Sequence, residues 1–262
     1  MIVEFVGLPG AGKSTLRDAA RTILRELGLS AMLAREARIH CFGRSHPGRL
    51  IGIASPSAKR ERLLDAAVRR LLKLYRVPFC LHNRALTRHV FSELWRRPLS
   101  TRDRRKVLRF FLRDGAFHHY FGNHLSPEEA LVLSEGLVHR ATSIHTSASQ
   151  EPDDPWIAKY SRLLPRSDLV ISVRAPVAVC AKRVVARGVY RRYIGDDLYR
   201  FLLNSARTID VAVDTIRKSG WDVVEVRNEG SPQDGIRALR SILEHRYGSP
   251  IIAGRTAERM KA

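Results

Sequence analysis

The sequence predicts an α/β fold of three layers: a five-stranded, mainly parallel sheet, flanked by helices, with a helical insertion between strands two and three. Short aliphatic or β-branched runs recur along the chain and alternate with apolar spacing of helical period. The first run leads straight into a glycine-rich loop and a helix-forming stretch. Residues 39–125, between the second and third runs, show helical periodicity and no strand pattern.

The first strand is Ile2–Val6, and it enters Gly7–Ser14, GLPGAGKS. This fits G-x-x-x-x-G-K-[ST] in the setting the motif needs, a strand before and a helix after. Glycine is required because the loop must wrap a phosphate with its N–H groups inward, on a path that side chains would block. Gly7, Leu8, Pro9, Gly10, Ala11, Gly12, Lys13, Ser14 and Thr15 are therefore the expected nucleotide-binding residues. Lys13 should reach the β- and γ-phosphates, and the Ser14 hydroxyl should sit on Mg2+. The layered architecture is then that of a P-loop NTPase. In the next helix, Thr15–Leu27, residues Leu16, Ala19, Ala20, Ile23, Leu24 and Leu27 form one apolar stripe that stops at Gly28.

The second strand, Ala31–Ala34, runs into Arg35-Glu36-Ala37. Ligands of such sheets gather outside the carboxyl ends of the strands. Glu36 is accordingly the candidate catalytic base, with Arg35 as a clamp on the substrate. From Arg38 to Phe121 there are 20 Lys/Arg against 5 Asp/Glu, a net +15. Within this insertion Arg60–Arg76 (Leu64, Ala67, Val68, Leu71, Leu72, Tyr75) and Arg102–Phe121 (Val107, Leu108, Phe111, Leu112) read as amphipathic helices with basic faces. Most of these arginines read as solvated outer faces and a minority as the lining of a pocket for an anionic acceptor. A membrane-surface role is the weaker alternative.

The third strand, Ala130–Ser134, delivers Glu135 to its end, beside Gly136. Glu135 is expected to hold the Mg2+ shell with Ser14, and Arg140 to reach the acceptor or the phosphates. After the fourth strand, Leu169–Val173, the helix Pro176–Arg187 carries Arg183 and Arg187 one turn apart on a shared face. Gly188 breaks that helix before Arg191 and Arg192, so residues 183–200 read as a segment that closes over the transferring group. Arginines there would offset charge spread over the equatorial oxygens. The fifth strand, Val223–Val226, precedes Asn228-Glu229-Gly230, a turn whose backbone could hold an adenine ring. Pro232–Tyr247 is the last helix, with Ile236, Leu239, Ile242 and Leu243 inward, and residues 248–262 form a basic tail.

The 262-residue chain reads as one domain over 1–247 with an elaboration. No run of eighteen apolar residues predicts a membrane span, and an N-terminus that is already a strand leaves no room for a signal peptide. Cys41, Cys80 and Cys180 are scattered, which fits a reducing cytoplasm. The formal charge of +20 favours polyanionic partners. His118-His119, Cys80 with His82, and His139 with His145 lack the spacing of a zinc site.

Taken together, these motifs resemble the P-loop small-molecule kinases, in the thymidylate kinase and deoxynucleoside kinase branch. GLPGAGKST resembles their Walker A loop. Arg35-Glu36 resembles the motif at the end of strand two, whose acid is the base in nucleoside kinases. Ser134-Glu135-Gly136 resembles the acidic motif of strand three, with Gly136 where an arginine usually follows. Arg183, Arg187 and Arg191 resemble the LID arginines, which makes 183–200 LID-like. The likeness covers residues 1–38 and 130–245 and omits the insertion, where such enzymes choose their acceptor.

The resemblance implies ATP- and Mg2+-dependent phosphoryl transfer to a small hydroxyl- or phosphate-bearing acceptor: a nucleoside, a nucleotide, a sugar or a sugar phosphate. A homodimer is compatible with it. Two other readings stay open: a nucleic-acid-bound ATPase or polynucleotide end-kinase using the basic helices, and a non-catalytic nucleotide sensor. Few aromatics are interleaved with the basic residues, which disfavours nucleic acid. A GTPase is excluded by the missing N-K-x-D and D-x-x-G, and an ABC-type ATPase by the missing L-S-G-G-Q.

Overall fold

The computed structural model describes residues 1–45, 57–188 and 195–248. Its sheet has five strands, β1 (Ile2–Gly7), β2 (Ser30–Leu33), β3 (Glu129–Leu133), β4 (Leu169–Arg174) and β5 (Val223–Arg227), in the order β2-β3-β1-β4-β5. Every neighbouring pair is parallel, so the sheet is wholly rather than mainly parallel. All six residues of β1 are buried, as the central strand of a sheet covered on both faces requires. The chain leaves β1 toward β2 in one direction and later crosses from β3 to β4 in the other. Right-handed crossovers then place the intervening helices on opposite faces.

Helix α1 (Lys13–Glu26) packs on α11 (Pro232–Tyr247). Leu16, Ala20, Ile23 and Leu24 are its buried stripe, each large side chain contributing about 1.5–3 kcal/mol of burial. On the other side α7 (Leu137–His145), α8 (Asp154–Arg162), α9 (Val177–Ala186) and α10 (Asp196–Lys218) pack on one another. Helix α10 begins inside the stretch read as LID-like. Its buried Leu198, Leu202, Ile209, Ala212, Val213 and Ile216 follow helical spacing, and Asp196 and Asp197 in its first turn suit the positive end of its dipole. Residues 189–194 of that stretch, with Arg191 and Arg192, lie outside the described residues, as does the tail from 249.

Between β2 and β3 stand α2 (Ala34–Gly43), α3 (Ser57–Leu74), α4 (Arg76–His82), α5 (Arg84–Arg96) and α6 (Thr101–Gly122). The insertion builds a core of its own, with Phe42, Val68, Leu72 and Phe121 among its members. Met32 of β2 and Leu131 of β3 join it to the sheet. Strand two was expected to run to Ala34, but it stops at Leu33. There the Leu33 N–H donates to the Glu36 carboxylate at 2.9 Å, and this cap turns the chain into α2 at Ala34.

Candidate nucleotide and acceptor site

The loop after β1 has the shape its glycines were expected to allow. Gly10 and Gly12 hold left-handed φ angles of 83° and 95°. A Cβ at Gly10 would lie 2.7 Å from the Cys180 carbonyl oxygen, and one at Gly12 only 2.1 Å from Asn228 Nδ2. Gly12 is also the N-cap of α1 and offers no side chain, so the first N–H groups of the helix stay open to an anion. Lys13, 8% exposed, donates from Nζ to the Gly7 and Leu8 carbonyls at 2.9 and 3.0 Å. Burial lowers its pKa to about 8, against the pull of the Glu135 carboxylate. Ser14 and Thr15 are exposed at the mouth of the loop.

Beside this loop, β3 ends and Ser134 and Glu135 follow. A buried acid on the central strand fixes the turn there. Glu4, 1% exposed, accepts from the Val138 and His139 N–H groups at 2.6 and 3.2 Å and from the Ser167 hydroxyl at 3.2 Å, so it caps α7 from below. A Cβ on Gly136 would stand 2.5 Å from the Glu4 carboxyl carbon, which explains why glycine rather than arginine follows Glu135. Burial pushes Glu4 up to about 7.

An arginine reaches this place from one turn later. Arg140, 6% exposed, donates from Nε to Asp114 at 2.5 Å and from Nη2 to Glu135 at 3.2 Å. Asp114, on α6, also accepts from Arg113 Nε at 2.7 Å. Burial alone would raise the Glu135 pKa, but His139, Lys13 and Arg140 outweigh it and hold the carboxyl well below the usual range. His139 Nε2 lies 3.4 Å from Glu135. Its own pKa is lowered by burial and by Lys13 to about 4, so it stays neutral.

On the opposite wall, Arg183 donates to the carbonyls of Gly10 at 3.3 Å, Asn228 at 3.4 Å and Gly230 at 3.4 Å. Asn228 is tied to the Ala11 carbonyl through Nδ2 at 2.7 Å, which fixes the loop after β5 against the glycine loop. Its Oδ1 is buried without a partner among the described residues.

Three cavities line up across these elements. One of about 250 Å3 lies among Gly10, Gly12, Thr15, Arg183, Arg187 and Asn228. The next, about 220 Å3, shares Gly10, Gly12, Thr15 and Arg187 with it and adds Lys13, Ser14, Ser134 and Glu135. The third, about 250 Å3, shares Ser134 and Glu135 with the second and is lined by Arg17, Arg38, Arg113, Asp114, Phe117 and Arg140. Shared lining residues make them one cleft with a middle compartment built on the glycine loop.

The cleft gathers Gly10, Gly12, Lys13, Ser14, Thr15, Glu135, Arg140, Arg183, Arg187 and Asn228 of the residues singled out in the sequence. Glu36 and Arg35 are placed elsewhere. The Glu36 carboxylate caps α2 and pairs with Arg21 at 2.8 Å and Arg25 at 3.3 Å. Arg35 is exposed, 3.7 Å from Glu61. The reason is the early end of β2, which puts Ala34 and Arg38 rather than Arg35 and Glu36 at the cavity wall.

Sequence reasoning missed Arg17, Arg38, Arg113, Asp114, Phe117 and Glu4. Arg17 was within reach, since it lies four residues after Lys13 on the same face of α1. Asp114 is one of the few acids of a basic insertion, and such acids mark where bases are held.

The oxygen donors Ser14 and Glu135 fit Mg2+, which takes one or two protein oxygens and completes its shell with phosphate oxygens and water. Among the described residues no cluster of three or more His, Cys, Asp or Glu side chains could bind a metal unaided.

No family model matches the sequence, and no curated protein does. Among solved structures, the chain is similar to a thymidylate kinase from Candida albicans, at 16% identity with a TM-score of 0.48, over 94% of this chain and 91% of that one. It is also similar to a deoxyadenosine kinase from M. mycoides, at 14% identity with a TM-score of 0.45, over 94% of this chain and all of that one.

Proposed function

We propose that the chain is an ATP-dependent kinase that moves the γ-phosphoryl group to a small anionic acceptor. The carrying observation is the row of three compartments, in which Ser134 and Glu135 belong both to the phosphate compartment and to the arginine-lined one. A nucleotide with its phosphates on Gly10–Ser14 would present its γ-phosphate toward Glu135 and the compartment beyond. Lys13, Arg183 and Arg187 would supply positive charge to the transferring group, and Arg191 would join them from the LID-like segment. Asn228 and Gly230 would hold the base through the loop after β5. Ser14 and Glu135 would hold Mg2+, which supplies charge neutralisation at the β- and γ-oxygens.

The acceptor's chemistry follows from the carboxylates at hand. Glu135 is held ionised far below its usual range and is therefore a weak base. Asp114 is shared between Arg113 and Arg140. Glu36 is engaged with Arg21 and Arg25. With no free carboxylate at the compartment wall among the described residues, an acceptor whose attacking oxygen is already ionised needs no base. A phosphomonoester such as a nucleotide or sugar phosphate meets that condition, and Arg17, Arg38 and Arg140 suit its charge.

The test is an acceptor screen: ATP and Mg2+ with pooled nucleosides, nucleotides, sugars and sugar phosphates, read as ADP release and a mass increase of the acceptor. A phosphate-bearing acceptor is expected to turn over. Nucleotide binding with no accelerated ADP release across the whole set would refute the kinase reading. Turnover of neutral hydroxyl acceptors alone would refute the phosphomonoester assignment.

A further inference from the structure

The insertion carries a surface that its own folding does not use. Helices α3, α4 and α5 each bury one apolar stripe, Leu64, Val68 and Leu72 on the first, Phe79 on the second, Leu86, Val90 and Leu94 on the third. A second set of apolar side chains points outward. Leu74, at the end of α3, and Val77 and Leu81, one turn apart on α4, are 69%, 63% and 57% exposed. Phe91 and Trp95, one turn apart on α5, are 38% and 63% exposed, with rings stacked 6.0 Å apart. With Leu63 of α3, 47% exposed, six large apolar groups on one run of helices exceed the scattered exposure normal for a soluble surface.

The exposed charges on these helices are basic except for one acid. On these three helices Arg70, Lys73, Arg84 and Arg88 are exposed, whereas two of the acids are sequestered: Asp65 is 7% and Glu93 2% exposed. Glu61 is the exposed acid of the stretch 61–97. Arg70 and Leu74 are one turn apart on α3, Val77 and Leu81 one turn apart on α4, and Arg84, Arg88, Phe91 and Trp95 follow one stripe of α5. Exposed basic and apolar side chains thus follow one another along these helices.

We propose that this face docks on an anionic lipid bilayer, lying in the headgroup region with the aliphatic and aromatic tips in the acyl boundary. Charge complementarity selects this occupant. A second copy of the chain would bring two insertions of net +15 together. A nucleic acid would find arginines but no use for Leu74, Val77 and Leu81, which cannot stack on bases. A bilayer of acidic lipid takes both kinds of side chain, and tryptophan and phenylalanine favour its interface. No described helix is long and apolar enough to cross a membrane, so the face lies on the surface instead of spanning it. The inference does not depend on the kinase reading and is tested without turnover.

The experiment is flotation of the full chain with vesicles of phosphatidylcholine alone or with about one third phosphatidylglycerol, the second raising the local concentration of a basic face. Wild type is compared with Leu74→Glu/Leu81→Glu and with Arg84→Gln/Arg88→Gln, all exposed positions, with folding checked by circular dichroism. Wild type should float with the acidic vesicles and remain behind with the neutral ones. The leucine pair should weaken binding about tenfold or more, and the arginine pair about fivefold for each charge removed. No flotation with acidic vesicles overturns the proposal. So does flotation that neither pair alters, loss of dimers without any change in flotation on ultracentrifugation of the leucine variant, or loss of oligonucleotide binding alone in the arginine variant.

Discussion

Replacing Glu4 with glutamine should invert the usual cost of altering a buried hydrogen-bonding residue once the pH is high enough. Glu4 sits under Gly136, 1% exposed, with Asp114 and Tyr160 as the titratable groups facing it from α6 and α8. Its pKa is raised from 4.5 to about 7, by burial first, although the Val138, His139 and Ser167 donors pull it down. The folded value lies above the unfolded one. The native state therefore keeps a proton that the unfolded chain has released between about pH 4.5 and pH 7. The stability tied to that proton is whole below the unfolded value and is lost as pH climbs through the folded one. At about 1.4 kcal/mol per pH unit, the loss comes to roughly 3 kcal/mol above neutrality. Glutamine keeps the shape and one acceptor oxygen but has no proton to lose. Urea unfolding of wild type and Glu4→Gln, followed by circular dichroism at several pH values across about 4.5 to 8, isolates the effect, because other titrating groups cancel in the difference. The variant should gain about 3 kcal/mol relative to wild type across this window. A difference that shifts by less than about 0.5 kcal/mol would show that the α7 N-terminus fully compensates the buried charge, and the reasoning fails.

Lys13→Ala should lower phosphoryl transfer by about a hundredfold or more while the melting temperature stays near wild type; undiminished ADP release would remove the glycine loop from the mechanism. Asp114→Ala leaves the Arg140 guanidinium buried beside half of its partners and should cost about 3–5 kcal/mol of unfolding free energy. The double variant Asp114→Ala/Arg140→Met should recover most of that loss, and equal instability of the single and double variants would contradict the ion-pair account. Glu36→Gln should change turnover less than about twofold and destabilise by about 1 kcal/mol through the weakened cap and surface pairs. A hundredfold fall in turnover with unchanged binding would instead restore Glu36 as the base.

The scaffold was legible because its signals are local. An apolar run followed by GLPGAGKS fixes β1, the loop and α1 together, and the β4 and β5 runs are short, β-branched and bounded by turn residues. The acid at the end of β3 was legible for the same reason. What lay beyond reach depended on contacts between residues far apart in the chain. Glu36 looked like a residue at a strand end because nothing before it announces a cap: the residue at the N-cap position is Leu33, not Ser, Thr or Asp. The pairing of Asp114 with Arg140 joins α6 to α7, and the capping of α7 by Glu4 spans 134 residues of sequence. A glutamate inside Ile2–Gly7 reads locally as a flaw in an apolar strand, and only the position of Gly136 above it shows what it serves. Most of the outward apolar set of the insertion went unread because it stands on α4 and α5, between the two amphipathic segments that the helical spacing singled out.

The carboxylate of Glu135 lines two compartments at once, so ligands held in both would be parties to one equilibrium. On one side it feels the Lys13 ammonium, and on the other it holds Arg140. A charged ligand arriving on either side would redistribute that shared hold, so affinity in one compartment would depend on occupancy in the other. Linkage requires the factor to be the same in both directions: whatever one ligand does to the binding of its neighbour, the neighbour does in return.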